Sequence, residues 1–96
     1  MKVVFTVAAR RDLDGILAYL AENQPALVGP IENRIHAVLE ILERWPESAQ
    51  IVVQRPETRV ASLIHYPYRI FYRVSNNAIE IVHIRHTSRP PWDDKR

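Results

Sequence analysis

Apolar residues recur along this chain with two periods, and the change of period marks its elements. Leu13, Ile16, Leu17 and Leu20 fall at i, i+3, i+4 and i+7, while Arg10, Arg11, Asp12, Asp14 and Glu22 lie mostly off that stripe. The spacing predicts a helix from about Ala8 to Asn23, broken by Asn23-Gln24-Pro25. Ile31, Ile35, Val38, Leu39 and Leu42 repeat it and predict a second helix to about Arg44, ended by Trp45-Pro46. The start of that helix stays open. Pro25 suits a first helical position, but Pro30 would then lose a hydrogen bond, so the helix either restarts at Gly29-Pro30 or kinks there. Gly15 costs the first helix about 1 kcal/mol relative to alanine, which suggests that something packs closely against it.

Elsewhere the period is two. Val3, Val4, Phe5 and Val7 predict a first strand, Gln50–Gln54 a second and Arg59–His65 a third, with Arg55-Pro56-Glu57-Thr58 as the turn between the last two. The richest run is Tyr66–Val74, followed by Ile79–His86 across Asn76-Asn77, a pair that tolerates positive φ. A two-residue turn there sets Val74 opposite Ile79, Arg73 opposite Glu80, Tyr72 opposite Ile81 and Phe71 opposite Val82. Continued without a break, it sets Ile70 opposite His83, Arg69 opposite Ile84 and Tyr68 opposite Arg85. Tyr68, Ile70, Tyr72, Val74, Ile79 and Ile81 then share the better core face. Arg69, Phe71, Arg73, Glu80, Val82, Ile84 and His86 share the other, so Arg69 and His86 would gather into a cationic site near the end of the hairpin. The order β-α-α-β-β-β-β predicts an α+β fold, a two-helix hairpin packed on one face of a small antiparallel sheet. Residues 1–92 form one domain, with 93–96 as a short tail.

Ninety-six residues suffice for one modest core, and a composition 47% hydrophobic and 25% charged is that of a globular chain. No cysteine is present, which excludes disulfides and thiolate metal sites. Glycines occur only at positions 15 and 29, too few for a phosphate-cradling loop. No apolar run is long enough for a signal peptide or a bilayer span, so the cytoplasm is the expected location and no membrane partner is expected. The net charge of +2 is unevenly spread, acidic up to residue 54 and basic beyond it. Such asymmetry suits a polyanion or an acidic protein partner, and equally a small sheet that shows arginines to solvent.

The run Tyr66-Pro-Tyr-Arg-Ile-Phe-Tyr-Arg-Val, followed by Ile-Val-His-Ile-Arg-His-Thr-Ser-Arg-Pro, resembles the RelE/ParE superfamily of bacterial toxins from type II toxin-antitoxin modules. The Asp12-Leu13 to Asn23 helix, the Ile35–Leu42 helix ending in Trp45-Pro46, and Arg59 extend the likeness over most of residues 3 to 91. The resemblance implies two helices on an antiparallel sheet and a hetero-oligomer with a cognate antitoxin, ParD-like or RelB-like. It also implies one of two activities. ParE-like members act against DNA gyrase without known hydrolytic chemistry, a role tied to plasmid stabilisation; RelE-like members cleave messenger RNA on the ribosome.

Ribonucleolytic cleavage needs a base, cations for the pentavalent phosphate and an acid. Arg69 matches the arginine of the RelE-like hairpin strand, Arg89 the cation after the last strand, and His86 completes the candidate set. RelE-like enzymes also use lysines on the preceding strands and often a late tyrosine, whereas this chain has only Lys2 and Lys95 and its last tyrosine is Tyr72. That departure favours the ParE-like branch, with the same three residues as a toxic surface. Leu13, Leu17, Arg59 and Arg73 are the candidate antitoxin contacts. His83 and His86 are three apart on a strand, hence on opposite faces, so neither a metal nor a cofactor is expected. A third reading is a non-toxic binding module.

Overall fold

The computed structural model describes residues 1–88. Strand β1 spans Lys2–Phe5, helix α1 Val7–Asn23 and helix α2 Val28–Arg44; strands β2 to β5 span Gln50–Val52, Arg55–Ser62, Tyr68–Ser75 and Ala78–His86. The strands form one sheet in the order β1-β5-β4-β3-β2. The sheet is mixed, because β1 runs parallel to β5 while the other pairings are antiparallel. Two helices packed on this five-stranded sheet make an α+β domain.

Thr6 joins the first strand to the first helix. Its N–H donates to the Ile81 carbonyl at 3.0 Å, and its hydroxyl accepts from the Ala9 N–H at 3.0 Å, which caps the helix. The same hydroxyl lies 3.0 Å from the Ile81 carbonyl oxygen and 3.2 Å from that of Val82. Val7, expected in the strand, is therefore the first residue of α1. Between the helices Pro25–Leu27 form a 3₁₀ turn, and α2 restarts at Val28. Pro30 is its third residue, where the backbone N–H has no intrahelical acceptor, so the proline costs no bond and no kink is required. Nothing lies within 4 Å of a Cβ built on Gly15. The close packing expected there is absent, and the position faces open space.

The core lies between helices and sheet. Leu13, Leu20, Ile31, Ile35, Leu39 and Leu42 meet Ile70, Tyr72, Ile79, Ile81 and Ile84. Each such aliphatic side chain contributes about 1.5–3 kcal/mol on burial. Two polar groups tie the link after α2 to the sheet beneath it. The Tyr72 hydroxyl donates to the Pro46 carbonyl at 2.7 Å, and the Arg59 guanidinium donates to the carbonyls of Glu47 and Ala49 at 3.0 and 2.8 Å.

Two registers differ from those the alternation predicts. The β2–β3 turn falls at Val53-Gln54, and Arg55–Thr58, expected as the turn, belong to β3. Pairing jumps from Ile51↔Arg59 to Val52↔Arg55, so the Pro56 segment bulges from the ladder, where a missing N–H is tolerated. In the β4–β5 hairpin Asn76 and Asn77 do take positive φ, 53° and 60°. Val74↔Ile79, Arg73↔Glu80 and Tyr72↔Ile81 pair as expected, but the next pair is Phe71↔His83. Val82 is an extra residue, a β-bulge, and every later pair shifts by one: Ile70↔Ile84, Arg69↔Arg85, Tyr68↔His86. Ile84 consequently faces the core at 2% exposure, where unbroken alternation would have turned it away.

Candidate functional site

The bulge decides what the hairpin can assemble. Arg69 sits between the buried Tyr68 and Ile70 and so faces away from the helices, beside its pairing partners Arg85 and Ser62. Its guanidinium donates to the Thr87 carbonyl at 2.9 Å. His86, paired with Tyr68, turns to the helix side and meets the Tyr68 ring edge-on, centroids 5.4 Å apart. The expectation that Arg69 and His86 share a face is thus corrected, because the extra residue inverts the strand between them. Arg89 lies outside the described residues.

On the helix side, α1 and the far end of the β4–β5 hairpin enclose a groove of about 680 Å³. Ile16, Leu20, Leu27, Ile31 and Ile84 give it an apolar lining, and Gly15 leaves its wall low. Tyr19, Tyr66, Tyr68, Arg11, Arg85 and His86 complete its lining. Burial, then the neighbouring Tyr19, pushes the Tyr68 hydroxyl above the usual tyrosine range, so the phenol keeps its proton. The His86 Nδ1 accepts from the Ser88 N–H at 3.0 Å, with the Ser88 hydroxyl 2.9 Å away. An amide can only donate, so Nδ1 carries the lone pair and the ring proton sits on Nε2. Such a site can hold an apolar segment with a polar or anionic margin. It does not bring Arg69 toward His86.

Asp12 closes the groove at its β5 side, a role its place in the sequence did not reveal. Its Oδ2 accepts from the Ile84 N–H at 3.0 Å and lies 2.9 Å from the His83 Nδ1. A carboxylate on α1 therefore completes the edge of β5 beyond the point where β1 stops. Tyr19 and Tyr66 were also missed as lining residues. Tyr19 follows Ile16 by three, a spacing that sets both on one side of α1.

The four candidate antitoxin contacts fall in different settings. Leu13 is buried in the core and Leu17 packs half-buried against it. Arg59 holds the link after α2, as described, and Arg73 donates from Nε to Glu80 at 2.6 Å. None of the four lines the groove. Among the described residues, no helix is long and apolar enough to cross a membrane.

Two helices on one side of a mixed five-stranded sheet make an arrangement that solved structures share. The chromosomal ParDE system from P. aeruginosa contains a chain of this fold, TM-score 0.74 at 24% identity over 90% of this chain and 95% of that one. The toxin-antitoxin complex RelBE2 from Mycobacterium tuberculosis contains another, TM-score 0.60 at 22% identity, covering 88% and 95%. In sequence, the toxin RelE2 of Caulobacter vibrioides is 28% identical over 88 residues, 92% of this chain and 97% of that protein. The chain belongs to the ParE toxin family of type II toxin-antitoxin systems, parDE, which matches residues 3–91. Its function at that level is that of a toxin in the ParE/RelE superfamily.

Proposed function

We propose that this toxin is a ParE-like inhibitor of DNA gyrase, acting in the cytoplasm and neutralised by a cognate antitoxin. The antitoxin segment covers apolar surface beside Leu13 and Leu17 and reaches the arginines of the sheet, Arg59 and Arg73 among them. The observation that supports inhibition over cleavage is the bulge at Val82. A ribonuclease needs acid, base and phosphate-binding cations around one phosphorus atom, and the shifted register turns Arg69 and His86 to opposite faces. A surface that binds and blocks has no such requirement. Purified gyrase assayed for supercoiling tests the reading: the toxin should inhibit it or trap its DNA-cleavage complex, and a folded toxin that does neither sinks the proposal.

The second reading is ribosome-dependent cleavage of messenger RNA by Arg69, His86 and Arg89, a set in which the register turns Arg69 and His86 to opposite faces. The likeness to a protein named RelE2 favours it. Induction without antitoxin separates the readings, since gyrase poisoning gives filaments and DNA damage, whereas the nuclease gives translational arrest with cut messages. No growth defect would leave a non-toxic binding module.

A further inference from the structure

Helix α2 carries two stripes, and the core takes only one of them. Ile31, Ile35, Leu39 and Leu42 are buried against the sheet. About a quarter turn further round the helix, Arg34, Ala37, Val38 and Ile41 recur at i, i+3, i+4 and i+7 and line a hollow of about 390 Å³ between α2 and the strands β2 and β3. Trp45 prolongs that line by one turn, since its N–H still donates to the Ile41 carbonyl at 2.8 Å. Ile41 is 53% and Trp45 62% exposed. On the sheet beside them Ile64 lines the hollow, and Ile51 pairs with Arg59, whose guanidinium reaches the link after α2, so it too faces the helix side. Both isoleucines are exposed. Large apolar side chains open to solvent on one flank mark a contact surface. This flank shares no residue with the lining of the groove beside α1.

The order of charges along the stripe chooses its occupant. Arg34 stands at one end, and Glu47 follows Trp45 at the other, so a partner of single sign would meet a like charge at one end. Arg34 and Trp45 are also equally far from the midpoint between Leu39 and Glu40, about 8 Å along the axis each way. A two-fold axis through that midpoint would lay two copies of α2 antiparallel, with Val38 opposite Ile41 and each Arg34 against the Trp45 ring and Glu47 carboxylate of the other copy. A guanidinium is attracted by both. Strand pairing through β2 is the poorer route, because that edge has three residues and its register breaks after Ile51. We propose that this flank joins two copies of the chain, α2 packed antiparallel on α2. It offers about half the 20–30 residues a side of a standard interface, so the dimer dissociates in the micromolar range.

Sedimentation velocity of the purified chain from about 1 µM to about 1 mM tests the interface. The protein should pass from monomer to dimer across that range. Ile41→Glu, at a position exposed enough to spare the fold, should stay monomeric with an unchanged circular dichroism spectrum. Arg34→Glu and Glu47→Arg should each raise the dimer Kd about tenfold or more, and Arg34→Glu/Glu47→Arg should restore it, because each contact joins one copy to the other. A monomer at every concentration, a dimer that Ile41→Glu leaves intact, or a double variant as weak as the single ones would overturn the proposal. So would a monomer whose Ile41 and Trp45 amide resonances shift only when a different protein binds, since the flank would then belong to that chain.

Discussion

The two halves of the β4–β5 hairpin are built from the same kinds of residue and differ by one inserted position. Between the Asn76-Asn77 turn and Tyr72↔Ile81 the ladder is regular, and its outer pair Arg73–Glu80 is partly open to solvent. Beyond Val82 the faces of β5 are exchanged, and the strand leaves β1 to meet the Asp12 carboxylate on α1. The near half is a stable ribbon. The far half is where side chains are redirected, and the groove, His86 and the separated Arg69 all belong to it. A bulge lets one strand serve the core and a surface without lengthening the sheet.

The comparison breaks most readily at Ile84. Ile84→Ala should cost about 2–5 kcal/mol in urea denaturation, whereas Val74→Ala in the near half, at 41% exposure, should cost under about 1 kcal/mol. Equal costs would mean that Ile84 does not face the core. Next comes the polar pairing of each half. Asp12→Ala leaves the Ile84 N–H without its acceptor and should cost about 1–3 kcal/mol, against no more than about 1 kcal/mol for Arg73→Ala at the more exposed pair.

A smaller effect is expected from alkali. Burial is the first cause raising the Tyr68 and Tyr72 hydroxyls above the ordinary tyrosine value of 10.0. Below that value both are neutral folded or unfolded, so their contribution is fully present. As pH rises past it the unfolded chain loses protons first, and stability should fall until the folded groups titrate as well. Tyr72→Phe should flatten the fall in Tm above pH 10, and an unchanged slope would remove Tyr72 as a source. Smallest is Asn77→Gly, which relieves an L-residue held at φ 60° and should raise stability by up to about 1 kcal/mol. That gain belongs to the turn and should leave the groove unaltered, as spectra of His86 and Tyr68 would register.

Both helices, the element order and the near half of the hairpin were legible because each rests on local periodicity. Leu13 to Leu20 can be stripe residues only in a helix, and the opposite charges of Arg73 and Glu80 select one register. The far half was not legible, since nothing in Phe71, Val82 or His83 by itself announces an extra residue. The tie that holds the bulge comes from Thr6 and Asp12, more than 70 positions away. The parallel union of β1 with β5 was hidden for the same reason, and with it the mixed character of the sheet. Arg55-Pro56-Glu57-Thr58 was read as a turn, whereas these residues open strand β3 and bulge from its ladder. Of the named site residues, Arg69 and His86 were legible as members of the hairpin, and the faces they take were not.

Gly15 gives the first helix a weak point with no neighbour to excuse it. The missing side chain leaves the wall of the groove low between Tyr19 and Asp12, like a sill that any longer residue would raise. Alanine there would firm the helix, and leucine would firm it while filling the opening. At this one position, thermal resilience and room for a guest are set against each other.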